Sequence, residues 1–227
     1  MTSRLLRITP LLLLATLAVA MFYTTRAPAA VGVATIPSPT LDTPLANAPG
    51  KQVIVLAGGC FWGVQAVYLH TKGVTRAVAG YSGGTAETAN YETVSGHGTG
   101  HAESVEVTFD PSKISVGQLL KIFFAVATNP TEKDRQGPDV GPQYRSVIFF
   151  STPEQERVAK AYIAQLDAAK VYPAPIVTEV VPLKAFYPAE GYHQNYLASH
   201  MDQPYIVIND LPKLAALKQQ FPQYYRD

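Results

Sequence analysis

Cysteine is almost absent: the 227 residues include one, Cys60. No internal disulfide can form, and a thiolate-rich metal site would lack its ligands. Charge is scarce too. Asp, Glu, Lys and Arg make up 15% of the chain, the net charge is +1, and there is no long basic run. That sets nucleic acid aside as a partner. No internal repeat is visible, which removes solenoids and propellers. Apolar residues, in contrast, form 47% of the chain, ample for the packed core of one ordinary domain.

Some of that apolar content stands outside any domain. Arg4 and Arg7 precede an apolar run from Leu11 to Phe22 broken only by Thr16, and small-residue sites follow at Ala18-Val19-Ala20 and around Ala27 to Ala30. Basic, apolar and small residues in that order read as a secretory signal over residues 1–30. The run falls short of the about 20 apolar residues a membrane span needs. Counting from Ile8 to Tyr23 lengthens it, so a retained N-terminal membrane anchor stands as a second reading. Both place the protein outside the cytoplasm, either soluble in the periplasm or tethered to the inner membrane. Residues 31–50, rich in Ala, Pro and Thr, read as a linker. The domain is expected over 51–227.

Within it, Gln52 to Ala57 reads as a strand and Phe61 to His70 as a helix, with Val64, Val67 and Tyr68 at helical spacing. Val74 to Ala79 reads as a strand, and 80–100 as a Gly-rich loop. His101 to Phe109 alternates: Glu103, Val105, Val107 and Phe109 share one face. Val116, Leu119, Leu120, Phe123, Phe124 and Ala127 form one apolar helical stripe. A loop over 128–143 leads to a strand at Tyr144 to Phe150. Thr152-Pro153-Glu154-Gln155 starts a helix with Val158, Tyr162 and Leu166 facing inward. Ile176 to Val181 reads as a last strand, followed by shorter helices and loops. Strands and helices are mixed without strict alternation, which points to an α+β fold: a mostly antiparallel sheet covered by helices, in two layers.

Cys60 sits in Gly58-Gly59-Cys60-Phe61-Trp62-Gly63, between strand and helix. At a helix start, free N–H groups and the helix dipole are expected to lower a thiol's pKa and enrich the thiolate. A buried structural thiol is the other reading. Phe61 and Trp62 are either core packing or an apolar pocket beside the sulfur. Glu103 points to the apolar face of its strand, where desolvation should keep it protonated and make it a general acid; with its head in solvent it would be an ordinary strand-end residue. The polar loop 135–146 holds Asp139 and Tyr144, and loops of that size are often functional.

Together these segments resemble the A-type peptide methionine sulfoxide reductases, specific for the S-epimer. The resemblance runs from Gln52 to His200 and rests on GGCFWG (58–63), GYSGG (80–84), NYETVSGHGTGHAE (90–103), RQGPDVGPQYRS (135–146) and AEGYHQNYL (189–197). It implies a ferredoxin-like sandwich. It implies Cys60 as nucleophile, Phe61 and Trp62 as the holders of the substrate's S-methyl group, and Glu103 as the acid that protonates the sulfoxide oxygen. Tyr91 and Tyr144 would hydrogen-bond that oxygen, with Asp139 in support. The implied substrates are oxidised peptides and proteins or free methionine sulfoxide, with no metal or organic cofactor.

The chain departs from the family in several places. Relatives that carry further cysteines near the C-terminus resolve the sulfenic acid as a disulfide, whereas this chain ends QQFPQYYRD; Ser95 stands where some have another Cys. A sulfenic acid on Cys60 would therefore need an external thiol reductant: a thioredoxin-like or glutaredoxin-like protein, or a small thiol. Gln65, Asn129 and Pro142 replace the usual Glu, Asp and Thr. Nothing demands more than a monomer. Two competing functions stay open, a Cys-dependent hydrolase or acyl transferase using Cys60 with His193 and a secreted binding domain without catalysis. His101 is expected to be structural.

Overall fold

The computed structural model describes residues 36–227. The leader expected over 1–30 lies outside the described residues, as do residues 31–35 of the expected linker. The strands are β1 (Gln52–Gly58), β2 (Val74–Ser82), β3 (Ala102–Phe109), β4 (Arg135–Gln136), β5 (Asp139–Val140), β6 (Ser146–Phe150), β7 (Glu179–Pro182) and β8 (Phe186–Pro188). The helices are α1 (Phe61–Leu69), α2 (Tyr91–Ser95), α3 (Val116–Ile122), α4 (Pro153–Ala168), α5 (Tyr196–Ser199) and α6 (Leu211–Gln220).

Six strands form one sheet in the order β7-β6-β1-β3-β2-β8, while β4 and β5 make a separate small hairpin. Every pairing in the large sheet is antiparallel except β6 with β7. The inner four strands, β6-β1-β3-β2, with α1 after β1 and α3 after β3, make the expected α+β ferredoxin-like sandwich.

Alternation along β1 explains its central place. Ile54 and Leu56 enter the main core, while Val55 and Ala57 join a second apolar cluster with Ala102, Val147 and Phe149 on the other face. A strand buried on both faces reads as an unbroken apolar run. The main core fills with Phe61, Val64, Val67 and Tyr68 of α1, with Leu119, Leu120, Phe123 and Phe124, and with Val158 and Tyr162 of α4. The apolar stripe expected over 116–127 is helical throughout, but its last turn, Phe123–Ala127, widens to a π turn.

The loops hold more structure than expected. Asn90 Oδ1 accepts from Thr93 N–H at 3.0 Å, which starts α2 inside the Gly-rich loop. β8 pairs with only three residues of β2, too short to announce itself in a sequence. Ile176 to Thr178 precede the last predicted strand, which starts at Glu179.

Residues 36–50 correct the linker reading. They are not free but packed along the domain: Ile36 is buried, Pro37 C=O accepts from Tyr162 Oη at 2.7 Å, and Ser38 C=O accepts from Gln165 Nε2 at 2.9 Å. Asp42 then sits at the start of α3, taking Ser115 Oγ and Gly117 N–H, both at 2.6 Å. Ala, Pro and Thr carry no apolar period, so composition hid the contacts this segment makes. Asp42→Ala removes an acceptor for the helix start and is expected to lower stability by about 0.5–2 kcal/mol, read as a lower urea midpoint at unchanged slope.

Candidate active site

β1 ends at Gly58, and the chain turns sharply at Gly59, whose φ is +99°. A side chain there would be strained, and a Cβ would meet Gln136 Cβ at 2.6 Å. The turn delivers Cys60 to the N-terminus of α1 as its cap residue, with 8% of its surface exposed.

Glu103 approaches from β3. It is 3% exposed, and its Oε2 accepts the Phe61 N–H, the first of α1, at 3.0 Å. Burial pushes its pKa up to about 8 against the opposing pull of that N–H, and Asp139 and Asp210 add to the rise. The carboxyl is therefore protonated at neutral pH, as its strand parity led one to expect.

Cys60 behaves differently from expectation. Its pKa is not lowered but raised well above the usual thiol value, first by burial and then by Glu103 and Asp210. The Trp62 N–H and Lys213 pull it down without reversing the sign. Desolvation of the charged form outweighs the end of a short helix. The resting group is a thiol.

Tyr91 begins α2, and its N–H donates to Glu190 Oε1 at 2.9 Å. Burial raises its phenol, and Glu103, Cys60 and Asp139 act on it in the same sense. Tyr144 lies in the turn before β6; burial raises it, then Glu103, Asp139, Cys60 and Tyr91. Both phenols are thus neutral donors that feel the same carboxyls and the same sulfur. Asp139, on β5, is raised by burial and accepts a hydrogen bond from Tyr205 Oη. Cys60, Phe61, Trp62 and Glu103 meet at the N-terminus of α1, and Tyr91, Tyr144 and Asp139 stand close enough to couple with Glu103.

The two aromatics after Cys60 part ways. Phe61 is 1% exposed and belongs to the main core, 5.8 Å from the Tyr81 ring. Trp62 is partly exposed and stacks on Tyr196 at 3.9 Å, with the Tyr205 ring edge-on at 6.0 Å. Its indole N–H donates to His193 Nδ1 at 3.1 Å. An indole nitrogen only donates, so Nδ1 carries no proton and its lone pair is occupied. Burial also holds His193 neutral. The ring nitrogen a Cys–His hydrolase would use is thus engaged with Trp62, and the other lies 4.0 Å from Glu190. His101 accepts Gly84 N–H at 3.2 Å on Nδ1 and bonds Thr85 C=O at 2.9 Å through Nε2, a structural role.

The replaced residues are accommodated. Gln65 Nε2 donates to Ala77 C=O and Gln194 Oε1, and its Oε1 accepts Asn195 N–H. A carboxylate could not make the first two bonds. Asn129 Oδ1 accepts from Thr131 N–H and Oγ1, and Pro142 opens the turn that carries Tyr144.

Three participants were not visible in the sequence: Tyr205, Asp210 and Lys213. Asp210-Leu211-Pro212 is a helix-start signature, but nothing in it says that the Asp is buried beside a reactive sulfur.

The family described as peptide methionine sulfoxide reductase matches residues 52–225. Peptide methionine sulfoxide reductase MsrA 2 of Mesorhizobium japonicum is 58% identical over 180 residues, 79% of this chain and 92% of that one. MsrA of Thermus thermophilus is 45% identical over 176 residues, 78% of this chain and 98% of its own. Among solved structures, reduced Mxr1 of Saccharomyces cerevisiae aligns with a TM-score of 0.60 at 30% identity, covering 72% of this chain and 92% of that one. Methionine sulfoxide reductase A of Corynebacterium diphtheriae aligns at 0.58 and 32% identity, covering 73% and 86%.

Proposed function

The chain belongs to the peptide methionine sulfoxide reductase family and is a thiol-dependent methionine sulfoxide reductase, and from that premise we propose a catalytic cycle on the S-epimer that uses one cysteine. The observation that carries it is Glu103, a buried carboxyl with a pKa of about 8 on the helix start that presents Cys60. Sulfoxide sulfur is a poor electrophile until its oxygen is protonated. In this reading Glu103 donates that proton, and Tyr91 and Tyr144 hydrogen-bond the oxygen as charge develops on it. Asp139, held by Tyr205, supports the site, and Phe61 and Trp62 hold the S-methyl group.

Cys60 Sγ attacks the sulfoxide sulfur. The S–O bond breaks, the oxygen passes to Cys60 as a sulfenic acid, and the substrate leaves as the thioether. The substrate sulfur gains two electrons and Cys60 loses two. The thiol proton returns to Glu103, so protons balance. A first external thiol then displaces the oxygen as water in a mixed disulfide, and a second thiol releases Cys60 and takes away the disulfide. A thioredoxin-like or glutaredoxin-like protein, or a small thiol, fits that role, because the chain has no second cysteine. The cycle calls for no metal or organic cofactor. Every group in it comes from one chain, so a monomer suffices. The basic, apolar and small residues before 31 support work outside the cytoplasm, in the periplasm or tethered at the inner membrane.

Mixing stoichiometric enzyme with S-sulfoxide and no reductant, then adding dimedone, is expected to give one equivalent of thioether and one dimedone adduct on Cys60. Thioether without an adduct would sink the scheme.

A further inference from the structure

Asp210 is a buried carboxylate for which the proposed reaction has no use. It closes the π turn Ile206–Asp210 just before α6 and is 0% exposed. Its Oδ1 accepts from Lys213 Nζ at 3.0 Å, and its Oδ2 is buried with no hydrogen-bond partner. Helix capping does not account for it, because its side chain bonds no backbone N–H of α6. Leaving such an oxygen unpaired inside a protein is costly.

What it touches is the first turn of α1. A Cβ placed on Gly63 would stand 2.1 Å from Asp210 Oδ1 and 2.8 Å from Lys213 Nζ. Only glycine at this position lets the ion pair press against the turn whose cap residue is Cys60. The other ionisable groups coupled to the sulfur are Glu103 of β3, Tyr91 of α2, Tyr144 before β6 and Tyr205, and Asp139 of β5 acts one step away, on Glu103. His193, next to Trp62, is neutral. Among these groups Lys213 alone is cationic.

We infer that Asp210 and Lys213 form a positioning pair that sets how readily Cys60 gives up its proton, Asp210 opposing the thiolate and Lys213 favouring it. The inference rests on Cys60 being the nucleophile of the proposed cycle. In the resting enzyme Asp210 neutralises Lys213, and the sulfur stays a thiol, the form that resists adventitious oxidation. Directions agree: Asp210 pushes the Cys60 thiol up and Lys213 pulls it down.

The test is the pH dependence of Cys60 alkylation by iodoacetamide in the full chain, whose lone cysteine makes the modified site unambiguous. Alkylation follows the thiolate fraction. Asp210→Asn is expected to lower the midpoint by about one on the pH scale, giving about tenfold faster alkylation at a fixed pH below it. Lys213→Met is expected to move it up, and Lys213→Arg to restore it. A merely structural role would not produce opposite signs or the rescue by arginine. Midpoints that stay put, or that move the same way in Asp210→Asn and Lys213→Met, overturn the inference. If Asp210→Asn does not fold, the contrast between Lys213→Met and Lys213→Arg decides alone. No sulfoxide is present, so failure here is distinct from a failed sulfenic-acid trap.

Discussion

Cys60→Ser is expected to bring formation of methionine from the S-sulfoxide, with dithiothreitol as reductant, down to background. Removing an activated nucleophile costs on the order of 10⁴–10⁶-fold in turnover. Here no second cysteine can take over, and a serine hydroxyl cannot carry the oxygen as a sulfenic acid. The measurement is methionine released over time, separated from sulfoxide by chromatography. Turnover within tenfold of the parent enzyme would mean that oxygen leaves by a route that does not involve sulfur. Serine differs from cysteine by a single side-chain atom, so the variant should fold and the loss should be chemical.

Glu103→Gln should have the next largest effect, with two signatures of opposite sign. Losing a general acid typically costs 10²–10⁴-fold, and about that loss of kcat/KM is expected at pH 7. In the parent enzyme, activity should fall as pH rises through about 8, where Glu103 deprotonates. In the variant that alkaline limb should vanish. Stability should move the other way. Below about pH 4.5 the carboxyl is neutral in both the folded and the unfolded chain. Between there and about 8 the unfolded chain loses the proton while the folded chain keeps it. The folded state then binds more protons, and stability falls as pH rises through that window, by up to about 1.4 kcal/mol for each step of one in pH. Glutamine has no such slope. Urea midpoints of the two proteins should therefore diverge from pH 5 to pH 8, with the inactive variant the more stable. Parallel midpoints would show that Glu103 titrates as an ordinary surface acid.

Glu103 was legible in the sequence because a strand has period two: one carboxyl among Val105, Val107 and Phe109 marks a buried acid. Cys60 was legible because two glycines before it and two aromatics after it are a specific signature. The strands β1 and β3 were legible from their own patterns, and with them a mostly antiparallel sheet, whereas its ferredoxin-like order came from the family resemblance. The direction in which the Cys60 thiol moves was not legible. Helix position argued for a thiolate, but burial decided the matter, together with carboxyls such as that of residue 210, brought close only when the chain folds. Tyr205 and Lys213 were missed for the same reason: they stand in a stretch without clear apolar period, and their meaning comes from the elements they meet. Residues 36–50 misled through composition, because small and proline-rich chain can dock as well as dangle.

The narrow exposure of Cys60, 8% of its surface, also fixes the traffic through the enzyme. In the proposed one-cysteine cycle, sulfoxide and reductant use the same doorway, since the atom that takes the oxygen is the atom that must be relieved of it. The thioether has to vacate before a thiol can enter, and a crowded thiol pool obstructs the next sulfoxide. The enzyme works as a turnstile. Its pace is set by whichever visitor is scarcer, and a bulky reductant must present its sulfur on a protruding tip rather than a flat face.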